Sequence, residues 1–260
     1  MVLKSYFDGA NQPDRIVLAT VSGTSNQWKN FDSTWRKILY KHKATHLHTT
    51  DAVSLQREFS VEKGWDKTSV NAFIGDCIMG ISKHIAQPPT PHRPHIKPGL
   101  RATTLTIYLD DYKEARKSLP KLPVAVTDLC LSESLGFCFK WGRHIGARQY
   151  EMYFDQGEPF YGHLCDRMNS KKARKDVPLL DAIAHKSESN MRDIPAIQMA
   201  DLLAWCISHN ENATRMWHRQ LNDLPWSSLY LDEKYLSQPT EGRLEQAEQW
   251  GMPRRKPNPR

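Results

Sequence analysis

One buried carboxylate is the first residue of this sequence that points to chemistry. The segment 194–207 is apolar except for Gln198 and Asp201, and a helix that is apolar on every side lies inside a protein. These two polar residues are three positions apart, so they share one face of that helix. A buried carboxylate needs a cation, a hydrogen-bond network or a raised pKa. Asp201 is therefore either a metal ligand or a structural acid that caps a neighbouring loop.

Two further aspartates stand where strands are predicted to end. Asp8 follows the first predicted strand and precedes Gly9, where the backbone can turn or be approached closely. Asp155 directly follows a predicted strand over 150–154 and lies on the strand face opposite Phe154. Acids at strand ends occur in metal sites, but they are also common turn formers. Each of these two residues is ambiguous when taken alone.

Taken together, the three aspartates form a set of hard oxygen ligands. Carboxylates suit Mg²⁺ or Mn²⁺ better than zinc, and such sites bind phosphate groups. We therefore predict that Asp8, Asp155 and Asp201 are catalytic residues that bind Mg²⁺ or Mn²⁺ together. Glu158 can assist Asp155, but its place just before a predicted helix favours a role at the helix N-terminus.

Three short segments carry a resemblance to one prokaryotic family, namely residues 6–9, 153–157 and above all 197–204. They resemble motifs of the domain-of-unknown-function 3800 family. That family begins with a strand ending in Asp, often followed by Glu-Ser-Gly, and closes with a helix bearing Gln-x-Ala-Asp-Leu-x-Ala. The match spans residues 3–210. It implies a ribonuclease-H-like fold, and it implies an acidic site more directly than it implies a reaction.

The resemblance also assigns expectations to residues beside the three aspartates. Gly9 stands where the family often has Glu, so any assistance from that Glu is missing here. His48 and Asp51 match a place where the family often has a histidine near a strand end, followed by an acid. We predict that both contact the substrate, with His48 orienting a water or binding phosphate; a histidine packed at the strand rim is the alternative. We also predict a substrate contact for Gln198.

The charge of the chain favours an anionic partner. The formal net charge is +7, and positive potential attracts polymers such as nucleic acid. We predict that a local basic cluster helps to hold the nucleic-acid backbone: Lys171, Lys172, Arg174 and Lys175. The leading hypothesis is a metal-dependent nuclease. The alternatives are a non-catalytic nucleic-acid-binding or interaction module on the same fold, and a nucleotide phosphohydrolase.

The elements that must position these residues alternate between strands and helices after an N-terminal hairpin. Strands are predicted over 2–8, 16–23, 45–50, 103–109, 150–154 and 183–185. Helices are predicted over 25–41, 68–85, 124–144, 159–173 and 195–209. This order predicts an α/β fold with a central mixed β-sheet and helices on both faces. Together with the resemblance, it predicts a ribonuclease-H-like domain.

Length and composition set the remaining expectations. A chain of 260 residues favours a single domain, which we place at 1–240, followed by a polar, Pro/Arg-rich and flexible tail at 241–260. The five cysteines include no Cys-x-x-Cys pair. No apolar run approaches the roughly 18 residues that span a bilayer, and the N-terminus lacks signal-peptide features. We expect a cytoplasmic protein with no membrane partner; the sequence does not predict its oligomeric state.

Overall fold

A six-stranded mixed sheet forms the centre of the protein. A computed structural model of the chain describes residues 1–86, 99–119, 122–209, 220–221, 227–231 and 235. The strands are β1 (Val2–Asn11), β2 (Arg15–Thr24), β3 (Arg101–Tyr108), β4 (Gln149–Asp155), β5 (Ile183–Ser189) and β6 (Ser227–Leu231). Their order across the sheet is β5-β4-β1-β2-β3-β6. The α/β class and the mixed sheet predicted from the sequence are confirmed.

The predicted N-terminal hairpin is also confirmed, and it places β1 between two different kinds of neighbour. β1 and β2 pair antiparallel, and Gln12 and Arg15 exchange backbone hydrogen bonds across the turn. On its other side, β1 pairs in parallel with β4. β2 is buried along nearly its whole length, as expected for a strand covered on both faces.

Helices cover both faces of the sheet, as predicted. The helices of the described part of the chain are α1 (Ser25–His42), α2 (Thr49–Ser54), α3 (Lys67–His84), α4 (Leu109–Ser118), α5 (Val126–His144), α6 (Pro159–Asn169), α7 (Lys171–Asp176) and α8 (Pro195–Ser208). One hydrophobic core joins the sheet to α1, α3 and α8. A second core on the opposite face joins it to α4, α5 and α6.

The strand predicted over residues 45–50 is wrong. Residues 45–48 are not in a strand, and α2 begins at Thr49. The backbone N–H groups of Leu47 and Thr49 donate to the side chains of Gln198 and Asp201. These side chains accept the hydrogen bonds that a neighbouring strand would otherwise accept. The backbone N–H groups of this segment are therefore paired although the segment does not join the sheet.

Other differences concern element boundaries. The helix predicted over 159–173 is interrupted at Ser170, which is extended and accepts a hydrogen bond from the backbone of Ala173 at 3.2 Å. The short helix α4 and the strand β6 were not predicted. The predicted tail at 241–260 lies outside the described residues.

No helix in the described part of the chain is long and apolar enough to cross a membrane.

The contact between α5 and β4 gives a stability prediction. A Cβ atom added at Gly142 would lie 2.4 Å from Cε1 of Tyr150, whose side chain is fully buried. We expect Gly142→Ala to lower the free energy of unfolding by about 1–3 kcal/mol, because the ring cannot move aside in a packed core. Urea denaturation measures this change.

The matched control is Gly162→Ala in α6. Nothing lies within 4 Å of a Cβ atom added at Gly162. This substitution should leave stability unchanged or raise it by up to about 1 kcal/mol, since alanine favours a helix over glycine. Equal effects of the two substitutions would contradict the packing described for Gly142.

Candidate functional site

The parallel pairing of β1 with β4 brings Asp8 and Asp155 together. The pairing ends at Phe7↔Phe154, so each aspartate lies one residue beyond the last pair, on strands about 4.8 Å apart. The rings of Phe7 and Phe154 stack in the core that contains α5 and α6. Successive side chains of a strand point to opposite faces of the sheet, so both aspartates lie on the face covered by α8. β1 continues to Asn11, so Asp8 lies within the strand and not at its predicted end.

Helix α8 brings Asp201 to the same face. Every residue of α8 is buried, which confirms that this helix is enclosed on all sides. Asp201 keeps 7% of its surface exposed and Asp8 keeps 4%. Oδ2 of Asp201 accepts hydrogen bonds from the backbone N–H and the hydroxyl of Thr49, each at 2.7 Å. These two bonds fix the orientation of the carboxylate.

Glu158 is a fourth acid, near enough to the three aspartates to affect their pKa values, and the sequence favoured a different role for it. It precedes the first residue of α6, but its side chain makes no capping hydrogen bond to that helix. Its Oε2 atom is buried and has no hydrogen-bond partner. The carboxyl group lies against Gly9, where an added Cβ atom would be 2.7 Å from Oε2. The spacing of Asp155 and Glu158 across the turn at Gly157 is the signal that could have indicated this contact.

The four acids form an electrostatically coupled group, which we call the carboxylate cluster: Asp8, Asp155, Glu158 and Asp201. Burial, and then the other three acids, raise the pKa of Asp8 well above its usual range. Burial, Asp155 and Asp201 raise the pKa of Glu158 to about 7. Like charges held together without water favour bound protons or bound cations.

The pKa values of the other two members also shift upwards. Burial raises the pKa of Asp201 despite the opposing hydrogen bonds from Thr49. Burial likewise raises the pKa of Asp155, although the backbone N–H of Met191 donates to its Oδ1 at 3.1 Å. In both residues, the nearby His48 opposes the increase in pKa.

His48 therefore lies beside the carboxylate cluster, and Asp51 lies behind His48. Nδ1 of His48 is 2.9 Å from Oδ2 of Asp51, at an angle that does not make a hydrogen bond. Arg57 approaches the same carboxylate at 3.4 Å. Asp51 is buried, and the substrate contacts predicted for His48 and Asp51 stay predictions.

Gln198 holds three segments together instead of facing a substrate. Its Oε1 accepts hydrogen bonds from Trp35 Nε1 at 2.8 Å and from the backbone N–H of Leu47 at 2.9 Å. Its Nε2 donates to the carbonyl groups of Met191 and Arg192 at 2.8 and 3.3 Å. The side chain is fully buried, and its amide hydrogen-bonding capacity is used within the protein. These hydrogen bonds give Gln198 a structural role; the substrate contact predicted for it stays a prediction.

The structure does not bring the predicted basic cluster to the acids. Lys171, Lys172, Arg174 and Lys175 are exposed on α7. Glu158 precedes α6, and α7 follows its other end. The 11 residues of α6 separate the two groups by about 16 Å along the helix axis. Arg174 is also paired with Asp181 at 2.5 Å.

The chemistry of the donors fits a hard divalent cation, but the side chains are not already arranged around one. All members of the carboxylate cluster offer oxygen atoms, and Oε2 of Glu158 is buried without a partner. Among the described residues, no group of three or more His, Cys, Asp or Glu side chains is spaced to hold a metal ion. A cation would have to draw the mutually repelling carboxylates closer together.

Comparisons with known proteins add no family to this description. No protein-family model matches the chain, and no curated protein matches it. The resemblance to the domain-of-unknown-function 3800 family, and the assignment of Mg²⁺ or Mn²⁺, stay predictions.

The hydrogen bonds of Gln198 predict a large effect on stability. Gln198→Leu keeps a similar volume but leaves the donors of Trp35 and Leu47 without an acceptor. We expect the free energy of unfolding to fall by about 2–4 kcal/mol, as buried unpaired groups lose their solvation. In the exposed turn, Gln156→Leu is the control and should change it by less than about 0.5 kcal/mol. Similar losses in urea titrations of both variants would contradict the positioning role.

The raised pKa values predict how stability depends on pH without metal. Glu158 shifts from 4.5 to about 7 on folding, so the folded state binds more protons than the unfolded state between these values. Stability must then fall as pH rises through this window. In chelator, we expect the melting temperature of the wild type to decrease from about pH 5 to about pH 8, with a smaller decrease for Glu158→Gln. Parallel pH profiles for the two proteins would contradict the shift assigned to Glu158.

Proposed function

We propose that this protein is a metal-dependent nuclease with a ribonuclease-H-like fold, and that it hydrolyses phosphodiester bonds. The observation that supports the proposal is that Asp8, Asp155 and Asp201 lie on one side of the sheet, near enough for their charges to raise one another's pKa values. Three different elements bring these acids together, although the concentration of negative charge destabilises the folded state. A site that lowers the stability of the folded state in this way is a candidate functional site.

The sheet supports the fold part of the proposal. β1 has an antiparallel hairpin partner on one side and a parallel strand on the other. Acids lie on β1 and at the end of β4, and a buried helix crosses the same face with a third acid. This arrangement agrees with the ribonuclease-H-like fold that the sequence resemblance implies.

The proposed chemistry requires a divalent cation, for which Mg²⁺ or Mn²⁺ is the best match to the donors. Asp8, Asp155 and Asp201 would hold it. When bound, it would lower the pKa of a water molecule and polarise a phosphoryl oxygen. Thr49 keeps the Asp201 carboxylate in position, and the backbone N–H of Met191 does the same for Asp155. His48 stands beside these acids and would bind a substrate phosphate.

The distribution of charge favours a polymeric substrate over a single nucleotide. The basic cluster on α7 lies about 16 Å from Glu158 along α6. One mononucleotide cannot reach both places, so a substrate that contacts both would have to be a polymer. The net charge of +7 supports the same preference.

A nuclease assay with aspartate variants tests the proposal. Wild type should cleave DNA or RNA in Mg²⁺ or Mn²⁺ and lose activity in chelator. We expect Asp8→Asn, Asp155→Asn and Asp201→Asn each to reduce cleavage by at least about 100-fold, and double variants to lose little more, since the ligands act as a unit. Asp110→Asn is the control, because the Asp110 side chain is exposed and paired with Lys113 on the surface.

The outcomes separate the alternatives. Binding of nucleic acid with no cleavage under any metal condition would support the non-catalytic module. Hydrolysis of mononucleotides alone would support the nucleotide phosphohydrolase. Activity that survives Asp201→Asn would make Asp201 a structural acid.

A further inference from the structure

A cavity of about 740 Å³ lies between the end of α1, α2 and α3. No member of the carboxylate cluster lines it. Small-molecule sites in proteins have volumes of about 300–1,000 Å³, and their walls are mostly apolar with a few polar groups. The size of this cavity is therefore that of a small-molecule site.

One part of the cavity wall is aliphatic. α2 and the residue that follows it contribute Ala52, Val53 and Leu55, and α3 contributes Val70 and Met79. Met79 is 51% exposed, so part of this apolar surface is open to solvent. Removing apolar surface from water favours binding, so this part of the wall suits the apolar portion of a ligand.

The charged residues of the wall favour a ligand with a negative group. Lys41 and His42, at the end of α1, approach the same carboxylate oxygen of Asp76, at 2.5 and 2.6 Å. Lys67 is the first residue of α3; it is exposed and forms no ion pair with any other residue that the structure describes. With His42 neutral, the two lysines and one aspartate of the described wall leave an excess of one positive charge. This charge is complementary to a single anionic group near Lys67.

The apolar portion of the ligand is better matched by an aliphatic chain than by a nucleobase. The described residues of the wall include no Phe, Tyr or Trp. Proteins commonly bind bases by stacking them on such side chains. Val53, Leu55 and Val70 instead offer branched aliphatic groups, against which a hydrocarbon chain can pack.

We propose that this cavity binds a small aliphatic monoanion, namely a medium-chain carboxylate. Its chain would lie against α2 and α3, and its carboxylate beside Lys67. The proposal does not rest on the proposed function, because the residues that carry it lie outside the carboxylate cluster.

Gly75 allows the cavity to be filled without disturbing the fold. It lines the cavity on α3 between Ala72 and Met79, and nothing lies within 4 Å of a Cβ atom added there. Gly75→Leu should melt no lower than wild type, since leucine favours a helix over glycine. The variant should bind the anion at least about tenfold more weakly, because a cavity already filled by leucine must be overpacked to admit a ligand.

Calorimetric titration of the full-length protein with octanoate tests the proposal. Wild type should bind one octanoate. Octanol has the same chain without the charge, and it should bind at least about twofold more weakly. Lys67→Gln should weaken octanoate binding by about two- to fivefold and leave octanol binding unchanged, since only the contact with the charge is lost.

Two substitutions elsewhere in the chain are the matched controls. Gly162→Leu adds the same side chain to α6, at a glycine with nothing within 4 Å of an added Cβ atom. Lys29→Gln removes an exposed lysine about 18 Å from Lys41 along α1. Both controls should bind octanoate with the affinity of wild type.

Each way in which the proposal can fail has its own result. If wild type binds no octanoate, or binds octanol equally well, the anionic class of ligand is wrong. Octanoate binding that is unchanged in Gly75→Leu would place the ligand outside this cavity. A dimer in sedimentation experiments that Gly75→Leu dissociates would assign this surface to a second copy of the chain, and would overturn the proposal as well.

Discussion

Repulsion among buried carboxylates is the constraint around which this part of the protein is built. Removing Asp8 and Asp201 from water is costly, and placing them near two more acids increases the cost. The surrounding structure offsets part of it with fixed donors. Thr49 donates twice to Asp201, and the backbone of Met191 donates to Asp155. The pKa values of all four acids stay raised, so these donors offset the repulsion only in part.

The polar residues of α8 organise the neighbouring backbone as well as the site. Gln198 fixes Leu47 and the carbonyl of Met191, while Asp201 fixes Thr49. The two segments that bring donors or His48 to the acids are therefore held by the same helix. A substitution at Gln198 would therefore loosen both segments, although Gln198 itself is not one of the acids. Stability and site geometry are coupled here through one buried amide.

The order of neighbouring residues was sufficient to predict those elements whose structure depends on residues close together in the sequence. The hairpin and the buried helix α8 were predicted because alternation and apolar character are properties of contiguous residues. Residues 45–50 were predicted as a strand, since nothing nearby in sequence shows that Leu47 and Thr49 bond to side chains about 150 residues away. The hydrogen bonds of Gln198 to distant backbone were not predicted for the same reason. A buried amide can face a ligand or hold distant backbone, and only tertiary structure distinguishes the two.

Glu158 shows how an acidic site can be assembled from different elements than those the sequence suggests. The resemblance implied that a glutamate after Asp8 was missing, because Gly9 stands in its place. In the structure, the space next to Gly9 contains a carboxyl group from the start of α6. The absence of a side chain at position 9 and the presence of Glu158 are thus complementary, since a residue larger than glycine would displace that carboxyl group. Side chains alternate along β1, so the carboxyl group of Glu158 meets this strand on the face of Phe7, whereas Asp8 lies on the face covered by α8.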